Sequence, residues 1–216
     1  MNRELHDYRD SYEQGELLLE NALDNPLDQF ALWFDEVEKA GGVREVNAMT
    51  VATVDPSGMP KSRIVLLKSY DSKGFVFYTN YNSEKGQAIQ EHPKVSLSFF
   101  WPNLERQVII QGTAQKVSAA QSDDYFNKRP KGSQLGALAS PQSTIIADRA
   151  VLEQHMSDLK TQYENRDVKR PDHWGGFVIQ PLVYEFWQGR PSRLHDRIRY
   201  SSSEKSSLWL KERLAP

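Results

Sequence analysis

The sequence predicts an α+β fold, an antiparallel barrel-like sheet of six to eight strands with helices at its periphery. Between residues 48 and 117 the chain passes through five short segments rich in Val, Ile, Thr, Phe and Tyr. Turns of hairpin length separate several of them: Asp55-Pro56-Ser57-Gly58, Asp71-Ser72-Lys73-Gly74 and Pro102-Asn103. Only one short helical segment interrupts this run, whereas a doubly wound fold places a helix after almost every strand.

Residues 1–23 are polar and weakly patterned and read as a flexible N-terminal arm, with 24–216 as a single domain. Asp24-Asn25-Pro26 supplies a capping side chain and an early proline for a first helix. Phe30, Trp33 and Val37 fall on one stripe of that helix, and Gly41-Gly42 ends it. Strands follow at 48–54, 63–70, 75–79, 95–101 and 107–117, and Ser83 starts a short helix that reaches Glu91 and stops before Pro93. Two helical stretches come next, 119–128 and 144–163. Strand character returns at 177–179, 182–187, 198–200 and 207–210.

The chain has 216 residues, no cysteine and a formal net charge of −2. Without thiols there are no disulfides, thiolate metal sites or cysteine nucleophile, which fits a reducing, cytoplasmic setting. No apolar run approaches the ~18–20 residues of a membrane span, and the acidic N-terminus lacks the basic and apolar regions of an export signal. Charge is graded along the chain: residues 1–40 carry three basic and eleven acidic side chains, and 189–216 carry seven basic and three acidic. No strongly basic face is left for nucleic acid, yet a few well-placed donors suffice for a phosphate.

Dinucleotide-binding, Walker, nucleophile-elbow and zincin motifs are all absent. The five histidines lie far apart, so no metal site is expected. Candidate chemistry lies instead in five segments. In a strand, Arg63 and Lys68 project to opposite faces near opposite ends, either as solvated ends or as cations flanking an anion. Thr79, Ser83 and Lys85 surround a helix start, where unpaired N–H groups and the dipole suit a phosphate or serve only as a cap. Gln142-Ser143 precedes another helix and poses the same choice. Tyr125 and Arg129 share a helical face, with Ser133 in a loop beyond Pro130, as a phosphate subsite or a solvated basic helix end. The densest segment is 185–197, which holds Trp187, Arg193, His195 and Arg197. If it is extended, residues 193, 195 and 197 share a face, and they repel one another unless an anion or π-system lies among them.

Taken in order, RIVLLK at 63–68, FYTN at 77–80, LERQV at 104–108, the 125–133 segment, Gln142-Ser143, WGGF at 174–177, the 185–197 segment ending in RLHDR, and the C-terminal Arg213-Leu-Ala-Pro216 resemble the pyridoxamine (pyridoxine) 5′-phosphate oxidase family over nearly the whole chain. The resemblance implies an FMN-binding split β-barrel and a homodimer with FMN at the subunit interface. It implies that Arg63, Ile64, Val65, Leu66, Leu67, Lys68, Tyr78, Thr79, Lys85, Gln107, Gln142, Ser143, Trp187 and Arg197 hold FMN. Lys68, Tyr125, Arg129 and Ser133 would bind the substrate phosphate. Arg193 and His195 would be the catalytic residues, lying against the pyridine ring, with Arg9 and Tyr12 of the arm closing over it. The implied reaction converts pyridoxine 5′-phosphate and pyridoxamine 5′-phosphate to pyridoxal 5′-phosphate by hydride transfer from C4′ to flavin N5, in vitamin B6 biosynthesis and salvage. O2 would be reduced to H2O2, and ammonia released from the amine. Glu84 departs from the family pattern, since many relatives place a basic residue there; a carboxylate opposes a phosphate unless it points away.

Overall fold

Asn25 and Gly41 bracket the first helix of the computed structural model, which describes residues 4, 6, 11–203 and 206–216, without the side chains of 203, 206 and 207. In α1 (Pro26–Ala40) the Asn25 side chain accepts the Leu27 N–H at 2.9 Å, and Gly41 takes φ 67 while donating to the Val37 carbonyl. A positive φ at the end of a helix is tolerated best by glycine.

Strands β1 (Ala48–Val54), β2 (Pro60–Leu66), β3 (Ser69–Asp71) and β4 (Gly74–Asn80) follow, then α2 (Glu84–Glu91). Next come β5 (Lys94–Trp101), β6 (Arg106–Lys116), α3 (Ala119–Lys128), α4 (Lys131–Ala139), α5 (Arg149–Gln162), β7 (Trp174–Gln188), β8 (Asp196–Ser203) and β9 (Ser206–Leu214). The strands form one sheet in the order β2-β1-β5-β6-β7-β4-β3, with β8 pairing β7 and β9 off this path. The pairs β3–β4, β4–β7, β7–β8 and β8–β9 are antiparallel. Alternation of buried and exposed residues marks β1 and β5, whereas β4 is buried almost throughout.

Two compact units share the chain: Met1–Met49, Leu97–Gln111 and Pro181–Pro216 make unit 1, and Thr50–Ser96 with Gly112–Gln180 make unit 2. In unit 1, Phe30 packs against Phe99 and Trp101, and Phe186 meets both Trp33 and Tyr200 edge to face. In unit 2, Phe177 meets Phe77 and Tyr81. A second unit 2 cluster consists of Phe126, Leu135, Val168 and Trp174.

Several boundaries differ from those expected. The 63–70 strand is split, because β2 ends at Leu66 and Lys68 turns its N–H to the Val76 carbonyl at 2.8 Å. The two segments on either side of Pro181 are one strand. Pro181 falls between the stretch of β7 paired with β4 (174–179) and the stretch paired with β8 (183–188), where a missing N–H costs little. Ser133 is not in a loop but in the first turn of α4, with Pro130 as its N-cap. The last long helix begins only at Arg149, capped by Asp148, and Ser143 stands before it at φ 73. No helix among the described residues is long and apolar enough to cross a membrane.

Candidate active site

The ends of β2 and β4, the start of α2, and the junction of α3 with α4 enclose a cavity of about 990 Å³ in unit 2. Arg63, Ile64, Val65, Leu66, Lys68, Tyr78, Thr79 and Lys85 line it, together with Tyr125, Arg129, Ser133, Gln142 and Ser143. Leu67 is buried and is not among the lining residues. Arg63 and Lys68 therefore do not serve opposite faces, as an uninterrupted strand would require; the break after Leu66 lets both reach one space.

Lys85 is the most constrained cation of the cavity. It is 8% exposed, with Nζ 3.1 Å from Thr79 Oγ1, 3.4 Å from Ser83 Oγ and 3.4 Å from Gln142 Oε1. These acceptors are neutral. Burial, and then the positive charge of Arg63, hold its pKa below the ordinary lysine value, with Glu84 acting in the opposite direction. A buried ammonium without a counter-ion is costly, so an anion entering beside it is favoured. The start of α2 adds its N–H groups at the same place. Ser83 accepts the Gly86 N–H at 3.3 Å, and a Cβ at Gly86 would stand 2.7 Å from the Asn80 carbonyl, so this turn lies directly on the end of β4. Arg63 is fixed by bonds from Nη1 to Thr53 Oγ1 at 2.8 Å and to the Lys61 carbonyl at 3.0 Å. Glu84 also lines the cavity, its carboxylate 3.4 Å from Lys61 Nζ, and both partners are exposed.

At the junction of α3 with α4, Arg129 leaves α3 in an extended conformation and sets its guanidinium 4.5 Å above the Trp174 ring. Its Nη1 is buried and has no hydrogen-bond partner. Tyr125 stacks on Tyr78 with ring centroids 3.9 Å apart, and Tyr78 stacks on Trp174. Thus a rigid aromatic wall holds a planar cation with an unused donor, a geometry suited to an oxyanion.

The remaining predicted residues belong to unit 1. Trp187 and Arg197 are cross-strand partners on β7 and β8. The Trp187 ring lies 4.6 Å from that of His195, and Tyr12 stands 5.8 Å from both. Arg197 is engaged by Glu185 Oε1 at 2.9 Å from Nε and by the Ala215 carbonyl at 2.9 Å from Nη1. His195 Nδ1 accepts the Arg190 N–H at 3.1 Å, which leaves Nε2 as the protonated nitrogen of a neutral ring. Partial burial and the nearby Arg193 charge lower its pKa, against the opposite pull of Asp196. Residues 193, 195 and 197 do not form one strand face. Pro191–Arg193 is a 3-10 turn with Ser192 at φ 57 and Arg193 at φ 61, and extended backbone begins only with β8. Gln107 is half-buried on β6. Arg9 lies outside the described residues.

Trp174, Lys61 and Lys128 line the cavity without having been singled out as site residues. Trp174 was visible in sequence only within WGGF, since stacking on Arg129 depends on two elements with no fixed spacing.

Two family models match the chain: "Pyridoxamine 5′-phosphate oxidase" over residues 35–163 and "Pyridoxine 5′-phosphate oxidase C-terminal dimerisation region" over 174–216. A pyridoxine/pyridoxamine 5′-phosphate oxidase of Flavobacterium johnsoniae is 55% identical, covering 98% of this chain and 99% of that protein. A protein of the same name from Synechocystis is 49% identical, with 98% of each chain covered. Among solved structures, PhzG from Burkholderia lata, in complex with tetrahydrophenazine-1-carboxylic acid, has a TM-score of 0.86 at 26% identity, covering 94% of this chain and all (100%) of that one. A pyridoxamine 5′-phosphate oxidase-related, FMN-binding protein from Nostoc punctiforme has a TM-score of 0.70 at 16% identity over 89% of this chain and 98% of that one, a likeness of fold.

Proposed function

The chain belongs to the pyridoxamine 5′-phosphate oxidase family, and from that premise we propose that it is an FMN-dependent oxidase acting in the cytoplasm, which converts pyridoxine 5′-phosphate and pyridoxamine 5′-phosphate to pyridoxal 5′-phosphate. The observation that supports this most is that one cavity gathers two sets of phosphate donors from different elements: Arg63, Thr79 and Lys85 with Gln142, and Tyr125, Arg129 and Ser133 around the junction of α3 with α4. The uncompensated Lys85 and the unused Arg129 Nη1 fit two phosphorylated ligands.

In this reading Arg63, Ile64, Val65, Leu66, Lys68, Tyr78, Thr79, Lys85, Gln142 and Ser143 hold FMN, and the family resemblance assigns Gln107, Trp187 and Arg197 to the same ligand. Lys68, Tyr125, Arg129 and Ser133 hold the substrate phosphate. The protein acts as a homodimer with FMN at the subunit interface, a reading supported by the dimerisation-region match. Bound FMN would supply the redox chemistry, the two-electron oxidation at C4′ with O2 as final acceptor and H2O2 as its product, and hydrolysis would release ammonia from the amine substrate. Arg193 and Tyr12 orient the pyridine ring. His195, with Nδ1 occupied by the Arg190 N–H, presents its Nε2–H to the substrate as a hydrogen-bond donor.

Purified protein is expected to be yellow and to consume O2 with either phosphorylated vitamer, measured at an oxygen electrode together with H2O2. A colourless protein that does not take up FMN overturns the proposal. Equal rates on phosphorylated and unphosphorylated substrates would point instead to a flavin enzyme with another substrate.

Two further results are expected at the flavin phosphate. Because Lys85 has a lowered pKa, it loses its charge at a pH below the ordinary ~10.4 of lysine. An anion binds the ammonium form, so FMN affinity falls as pH rises through that lowered value, and Lys85→Met removes this dependence. Fluorescence titration with FMN checks it; an affinity that stays flat up to about pH 10 contradicts it. Glu84→Gln removes a half-exposed negative charge from the cavity wall and is expected to tighten FMN about two- to five-fold. The same titration showing weaker binding would mean that the Lys61 pair is needed to shape the site.

A further inference from the structure

We propose that Asp196 is a positioning residue, anchoring both the N-terminal segment that carries Tyr12 and the turn that carries His195, so that the two side chains meet the substrate as a unit. This rests on the reading of Tyr12 and His195 as substrate-facing groups.

Asp196 directly follows His195 and opens β8. Its side chain is 5% exposed, yet three segments converge on the carboxylate. Oδ2 accepts the Leu17 N–H at 3.0 Å and Arg190 Nη1 at 3.1 Å, and Oδ1 pairs with Arg213 Nη2 from β9. A buried carboxylate needs such partners, but one guanidinium would neutralise it. The Leu17 amide brings in a segment 179 residues away in sequence.

The anchor extends in both directions. Toward the turn, Arg190 holds Asp196 with its side chain, while its N–H fixes His195 Nδ1. Toward the N-terminus, Leu17 is buried, Glu16 lies 3.2 Å from Arg190, and the Gln14 N–H donates to Glu105 at 3.0 Å. Tyr12 then packs closely against Gly189, where a Cβ would stand 2.8 Å from Tyr12 Cδ2. Its ring reaches Trp187 and His195 at 5.8 Å each. One carboxylate thus sets both the orientation of the imidazole and the place of the tyrosine.

The test uses FMN-loaded protein with Asp196→Asn. Three results are expected. Hydrogen exchange at the Leu17 amide rises from protected to that of an exposed segment. The kcat/KM for pyridoxine 5′-phosphate falls roughly 20-fold or more, in the range of a misplaced catalytic contact, while FMN affinity stays within about two-fold, below the effect of losing one charged contact. In a Tyr12→Ala background the same substitution costs less than about three-fold, because residues acting as a unit are not additive. Additive losses, or an activity loss with Leu17 exchange unchanged, would show that Asp196 only neutralises its arginines and would overturn the proposal. Should Asp196→Asn not fold, Arg190→Gln removes the arm of the anchor toward the turn and is held to the kinetic outcomes, including the non-additivity with Tyr12→Ala. If wild-type protein turns over neither vitamer, the functional reading fails, and exchange at Leu17 still decides whether the anchor exists.

Discussion

Arg193→Ala is expected to lower kcat/KM for pyridoxine 5′-phosphate by about 100-fold or more while leaving FMN bound, since misplacing a substrate by an ångström costs that much. Arg193 lies in a left-handed conformation after Ser192, exposed and beside His195. Alanine also carries a Cβ, so the strain of that φ is retained and the loss reports on the guanidinium. A second signature separates charge from shape. The Arg193 charge lowers the His195 pKa, so its removal raises it toward the ordinary ~6.5 of histidine. His195 then stays protonated to a higher pH, and the acidic limb of the rate profile moves up. NMR titration of His195 together with the pH profile checks this. Departure of FMN from the variant would show that Arg193 serves the flavin instead.

Arg129→Ala is expected to raise KM for both phosphorylated substrates about 10- to 100-fold with kcat changed only a few-fold, the loss of roughly 1.5–3 kcal/mol from a charged hydrogen bond. The phosphate lies remote from the reacting carbon, so its binding energy is shared by ground and transition states. The buried, unpartnered Nη1 makes this residue a strong candidate, because in the free protein that donor has no acceptor. Steady-state kinetics with both vitamers decide the matter. An unchanged KM would place the substrate phosphate elsewhere.

The strands were legible because alternation and turn residues are local signals. Met49, Val51 and Thr53, or Val95, Leu97, Phe99 and Trp101, announce a half-buried strand without knowledge of their partners. The helix at 131–139 was not legible, because Pro130 and Gly132 both signal a break; a proline that only caps the next helix looks the same in sequence as one that ends the last. Arg193, His195 and Arg197 were given a common face by counting alternate residues, a count that fails where Ser192 and Arg193 take positive φ. The donors of the cavity were identified individually, but their convergence depends on where β2 stops. The break at Leu67 and Lys68 follows from the pairing of Lys68 with Val76 rather than from any turn residue. Asp196 carried no signal as an anchor, because its partners come from residues 17, 190 and 213.

The junction of α3 and α4 has a consequence for how this protein can change over evolutionary time. A single extended residue, Arg129, and its following proline separate two helices, with Tyr125 on one and Ser133 on the other. An inserted or deleted residue absorbed by either helix turns its side chains by about 100° and shifts them about 1.5 Å along the axis. Tyr125 and Ser133 would then no longer face the same space. Substitutions at exposed positions around the junction leave that phase intact. The segment is therefore free to drift in composition but not in length, and homologues that bind a phosphate here should preserve the eight-residue interval from Tyr125 to Ser133 even where little else is shared.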